Sequence, residues 1–197
     1  PLRSAFLEWS QPGTVTGSVD LSQRFGEGHA FGVRVNAAAA HLDPMVNDST
    51  GSRRLFALAA DWRIGSDTLL EAEIESSHRS QPSQPGFSML GSTVPEPGNP
   101  RVSLNNQPWS KPVVFDGTTA SLRLTQALAS GWRARVHAMT QRLRSDDRIA
   151  FPFGCRAEDR FDRFCSDGSF DFYDFRSEGE RRRSDALDLA LEGRAAT

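Results

Sequence analysis

Along most of this chain hydrophobic and polar residues take turns one by one, the spacing of a strand whose two faces meet different surroundings. In "RLFALAADWRI" Phe56, Leu58, Ala60 and Trp62 share one face, and Leu55, Ala57, Ala59 and Asp61 the other. "TLLEAEIESS" sets Leu70, Ala72 and Ile74 against Glu71, Glu73 and Glu75. "GWRARVHAMTQR" sets Trp132, Ala134, Val136 and Ala138 against Arg133, Arg135, His137 and Gln141. "DALDLALEG" sets Leu187, Leu189 and Leu191 against Asp188, Ala190 and Glu192, and the same period runs through 15–22, 31–37 and 120–125.

The links between these segments are of two kinds. "FGEGHAFG", "IGSDT" and "LASGW" are tight Gly/Ser/Asp turns, whereas Leu42 to Gly51, Gln81 to Gly117 and Ser145 to Arg182 read as longer polar loops. With a first strand at about Arg3 to Trp9 and a brief turn at Gln11, Pro12 and Gly13, the pattern predicts roughly eight antiparallel strands of about ten residues, short turns at one end and long loops at the other.

An all-β chain of this kind has two physical solutions. A soluble sandwich buries its apolar face against a second sheet and favours bulky β-branched and aromatic residues there. A transmembrane barrel turns the apolar face to lipid and the charged face to a wet or plugged lumen. The apolar faces here are rich in Ala and Leu, and Trp62 and Trp132 sit beside short turns, where an aromatic girdle belongs. Together with the asymmetry of turns and loops, this favours an antiparallel transmembrane β-barrel fragment.

Composition narrows the function classes. A net charge of -2 gives no electrostatic footprint for nucleic acid, and no run approaches the ~18 apolar residues of a spanning helix. His29, His41, His78 and His137 lie on separate segments without metal-ligand spacing. No Ser/His/Asp constellation, phosphate loop or H-E-x-x-H pattern points to an enzyme. "DGSFDFYD" offers Asp167, Asp171 and Asp174 to calcium but lacks the full loop pattern. Cys155 and Cys165, with nine residues between them, suit a local disulfide in an oxidising compartment better than a zinc or redox centre.

At this point the chain resembles a known family, the TonB-dependent outer-membrane receptors, and among them the ferric-siderophore receptors. "PLRSAFLEWSQPGTVTGSVDLSQRFGEGHAFGVRVNAAA" looks like the segment just after the plug domain, and "LFALAADWRIGSDTLLEAEIE" like a barrel hairpin. "SQPGFSMLG" to "NNQPWS" looks like the long external loop, and "SDALDLALEGRAAT" like a descending strand.

The resemblance implies about eight strands of a roughly 22-stranded barrel, with residues 1–197 as its N-terminal part, the plug absent and the rest of the barrel missing beyond 197. It also implies a Gram-negative outer membrane with the long loops outside. The expected partners are a ferric siderophore, the plug domain of the same chain, the TonB complex reached through the plug region, and outer-membrane lipid. Iron arrives inside the ligand, so no protein-bound cofactor is implied. A passive porin-like channel and a soluble secreted β-sandwich binding module are the alternatives.

Two groups of residues are then candidates for function. Arg34, Glu71, Glu73, Glu75, Arg123, Arg133, Arg135, Asp188 and Glu192 share the phase that would face the lumen and the plug. Gln84, Phe87, Met89, Asn105, Asn106 and Trp109 in the proline-rich loop, with Phe151, Phe153 and Tyr173 around the cysteines, offer aromatic surface and amides to a bulky polar chelate.

Overall fold

The computed structural model describes residues 1–96 and 98–193. Eight strands form one antiparallel sheet in sequence order: β1 (Leu2–Ser10), β2 (Thr14–Phe25), β3 (Phe31–Leu42), β4 (Gly51–Ile64), β5 (Thr68–Gln81), β6 (Val113–Ala127), β7 (Arg133–Pro152) and β8 (Phe172–Glu192). Each strand pairs with the next, and β1 and β8 are left as the two edges. The "EGRAAT" end of the expected descending strand is described only as far as Gly193, so 194–197 lie outside the described residues, as does Pro97 of the long loop.

Register makes the sheet two-faced. Val35, Leu58, Ile74 and Ala120 stand in one row across β3 to β6, while Glu71, Arg123, His137 and Asp188 stand in another across β5 to β8, on the opposite face. Along β4, Phe56, Leu58, Ala60 and Trp62 are exposed, whereas Leu55, Ala57, Ala59 and Asp61 are half-buried. That is the reverse of a soluble sheet, which hides its apolar side. Among the described residues no second sheet covers that side, as a sandwich would require; fully buried apolar side chains are confined to a few sites such as Ala150, Phe164 and the two cysteines.

The apolar band does not run straight across the strands. Its far edge lies at Leu187 on β8, Ala120 on β6, Phe56 on β4, Ala39 on β3 and Trp9 on β1. The row through Leu187 crosses β3 at Val33, and the row through Trp9 crosses it at His41, eight residues farther on. A band of constant height that drifts along the strands in this way is what tilted, staggered strands produce. At the short-turn end, Phe25, Phe31 and Trp62 stack in series with ring centroids 5.7 and 5.3 Å apart. These rings extend the expected girdle.

Strand extent is where the sequence reading falls short. β6 begins at Val113 rather than after Gly117, and β7 and β8 reach 20 and 21 residues, absorbing 145–152 and 172–182 from the expected third loop. Phe151 and Tyr173 are therefore strand residues facing each other in register, not loop residues, and Phe153 follows immediately. Alternating charges such as Asp146, Arg148, Arg176 and Glu178 resemble a loop, but a ladder needs only paired backbone once it is no longer required to show an apolar side. An irregularity in pairing between Ser145 and Asp147 marks where the two long strands change register.

Candidate functional site

The polar face gathers the predicted charged residues into one wall. Arg34, Glu71, Glu73, Glu75, Arg123, Arg133, Arg135, Asp188 and Glu192 all share its phase in the ladder. Two of the pairings are direct: Arg123 reaches Glu71 at 3.6 Å and Arg135 reaches Asp188 at 3.3 Å. Arg133 and Glu192 are opposite in register without an ion pair within 4.0 Å among the described residues, and Glu73 and Glu75 likewise have no cation that close.

The tightest pairs on this wall were not singled out from the sequence. Arg34 grips Asp20 in a bidentate pair at 2.9 and 2.6 Å, and Arg24 grips Asp61 at 2.8 Å through both nitrogens. Their signal was present, since Asp20, Arg24 and Asp61 follow the same period. What the sequence lacks is the register that sets them side by side. Arg24, Gly32 and Asp61 stand in one row, and a Cβ on Gly32 would lie 2.5 Å from the Asp61 carboxylate, so the bare backbone lets Arg24 reach two strands across. A cavity of about 380 Å³ opens over this wall between Arg34, Glu73, Glu75, Arg123 and His137.

At the other end of the strands the loops 43–50, 82–112 and 153–171 are tied into one assembly. Asn47 donates its N–H to the Arg101 carbonyl at 2.8 Å, joining the first to the second. The second meets the third where Phe164 N–H donates to the Met89 carbonyl at 2.8 Å, and where the Arg163 guanidinium donates to the Gly91 carbonyl at 3.0 Å. Cys155 and Cys165 form a disulfide and are 0% and 5% exposed. With Glu158 their sulfurs make a cluster of metal-ligand type, but bonded sulfurs offer no thiolate.

The three aspartates considered for calcium go separate ways: Asp167 accepts from Ser169, Asp171 from the Arg156 N–H, and Asp174 pairs with Arg176. The Ser169 hydroxyl, and after it the Ser169 N–H, hold the Asp167 carboxyl below its ordinary range. Asp162 is held low in the same way by the Arg163 guanidinium.

The predicted ligand-contact residues divide. Phe151, Phe153 and Tyr173 form one aromatic cluster, with centroids 5.8 to 6.5 Å apart. Trp109 is not part of it: it packs edge-on at 5.8 Å against Phe172, which alternates with Tyr173 along β8 and so lies on the other face. Gln84, Phe87 and Met89, close together in sequence, and Asn106 farther on are exposed on the long loop. Asn105 is different: it is 2% exposed, its amide donates to the Ser83 carbonyl at 2.8 Å, and its oxygen accepts from the Ala150 N–H at 2.9 Å. It rivets the long loop to β7.

No family model matches the chain, and no curated protein matches it by sequence. Solved structures do match in fold. BauA, the ferric preacinetobactin receptor from Acinetobacter baumannii, superposes with a TM-score of 0.75 at 19% identity, over 99% of this chain and 27% of that one. The ferripyoverdine receptor of the outer membrane of Pseudomonas aeruginosa gives 0.73 at 15% identity, over 95% and 24%. The ferric-catecholate import receptor Fiu from K12 E. coli gives 0.71 at 13%, over 96% and 28%. The fold is thus that of part of the barrel of such receptors, as the sequence resemblance implied, and the chain spans about a quarter of their length.

Proposed function

We propose that this chain is wall and outer vestibule of an outer-membrane receptor that takes up a ferric siderophore unchanged, using energy delivered from the inner membrane through a plug. The observation that carries the reading is the inverted sheet: apolar residues exposed on one face, ion-paired residues such as Asp20, Arg24 and Asp61 half-buried on the other, and three long loops tied together at one end. Lipid would take the first face and a plug domain preceding residue 1 the second.

In this reading Glu73, Glu75 and Arg133 hold charges available to the plug, while the bidentate Arg24–Asp61 and Arg34–Asp20 pairs stiffen the wall. The siderophore would rest against Phe151, Phe153 and Tyr173, with Gln84, Phe87 and Asn106 on the long loop and Asn105 supporting rather than touching it. Polarised aromatic surface with a few amides suits a bulky chelate that keeps its own iron ligands.

Uptake of single purified ferric siderophores by cells deleted for the full-length protein tests this directly. Loss of one chelate, restored by the intact gene and abolished when the inner-membrane gradient is collapsed, is the expected result. Uptake that survives collapse of the gradient would indicate a passive channel instead.

A further inference from the structure

On the apolar face, directly beyond the apolar band, β4, β7 and β8 place five arginines together. Two neighbouring rows run Phe56, Ser76, Thr118, Arg142, Arg183 and Arg54, His78, Asp116, Arg144, Arg181. The row before them is Leu58, Ile74, Ala120, Thr140, Asp185, where the band ends. A groove of about 700 Å³ lies between the two rows, with Phe56 and Arg54 at its β4 end and the other four arginines at its β7–β8 end.

The charges there do not cancel. Asp185 pairs with Arg183 at 2.9 Å and Asp116 with His78 at 2.7 Å, and among the described residues Arg54, Arg142, Arg144 and Arg181 have no carboxylate within 4.0 Å. Arg182, in the middle of the run, points to the polar face and pairs with Glu180. The two arginines on either side of it are thus left for the other face by strand alternation. Four uncompensated guanidiniums, each a planar fork matched to phosphate oxygens, sit where an apolar face meets water.

We propose that this groove binds a phosphate-bearing lipid of the surrounding leaflet, its phosphates among the unpaired Arg142, Arg144 and Arg181, with Arg183 beside them held by Asp185, and its chains along Phe56, Leu58 and Ile74. The proposal rests on the membrane reading of the apolar face but not on the siderophore. A free anion would need the arginines alone; the adjoining Phe56, Leu58 and Ile74 call for a ligand with hydrocarbon attached. A protein partner is disfavoured because the groove continues without a break into the band.

The test uses the full-length protein in detergent, with native mass spectrometry reading its bound lipids. The probes are a bisphosphorylated disaccharide lipid, the same lipid after dephosphorylation, and inorganic phosphate. The intact protein is expected to retain the phosphorylated lipid over the dephosphorylated one, and R142Q/R144Q/R181Q/R183Q to lower that retention by roughly tenfold or more. R133Q/R135Q on the opposite face should leave it unchanged. Equal retention of both lipids, equal loss in the two variants, or full displacement by millimolar inorganic phosphate would overturn the lipid site. Heat-dependent gel mobility of the same samples reports the barrel separately, so failure of the site and failure of the membrane reading are distinguishable.

Discussion

Asn105 shows how one side chain can hold a vestibule together. Its amide and oxygen close two hydrogen bonds at a buried position, so Asn105→Ala leaves the Ser83 carbonyl and the Ala150 N–H unpaired, at a cost of about 1–3 kcal/mol each. Limited proteolysis of the full-length protein should then cut 82–112 faster while the strands stay intact; unchanged cleavage would show that the loop is held elsewhere. Asp167 gives a pH prediction. Its carboxyl is depressed below 3.8 by Ser169, so the turn it anchors is fully stabilised above about pH 4 and loosens as pH falls through the lower folded value. In Ser169→Ala, carboxyl NMR should find Asp167 titrating closer to 3.8, and an unmoved titration would remove the serine as cause. From sequence Asn105 could be chosen only as an exposed-looking amide, because its partners lie 22 and 45 residues away.

Strands were the most legible elements, since alternation fixes a face without any knowledge of neighbours. The seven alternating segments quoted from the sequence fall within strands, apart from Gly131 and Trp132 just before β7 and Gly193 just after β8, and the assignment of faces along β4 and β5 agrees with the register. Legibility ended where the pattern did. Above the band neither side of β7 or β8 has to be apolar, so Arg148 to Pro152 and Phe172 to Glu180 carry no period that separates strand from loop. The face assignment has a direct mutational consequence on β5, where neighbours point opposite ways. Ala72→Arg places a charge in the middle of the apolar band, between Leu70 and Ile74, and should cost about 2–4 kcal/mol near mid-bilayer, whereas Glu73→Arg should insert normally. Folding into phosphatidylcholine vesicles against urea measures both, and equal destabilisation would mean the faces are wrongly assigned.

For the whole molecule the decisive quantity is the drift of the apolar band across the sheet, eight residues along β3 between the rows of Leu187 and Trp9. Eight strands are enough for a small closed barrel, but only if the first pairs with the last. Here β1 and β8 remain unpaired edges. An open edge in hydrocarbon leaves N–H and C=O groups without partners at several kcal/mol each. Residues 1–197 alone are therefore expected to fail to give a protease-resistant, heat-modifiable species in vesicles, whereas the full-length protein should give one, because further strands would pair with β1 and β8. Cysteine pairs across the two edges decide the remaining possibility. Ala5→Cys with Leu189→Cys should not form a disulfide in the folded full-length protein, and an efficient crosslink would mean that these eight strands close on themselves and that the wide-barrel reading is wrong.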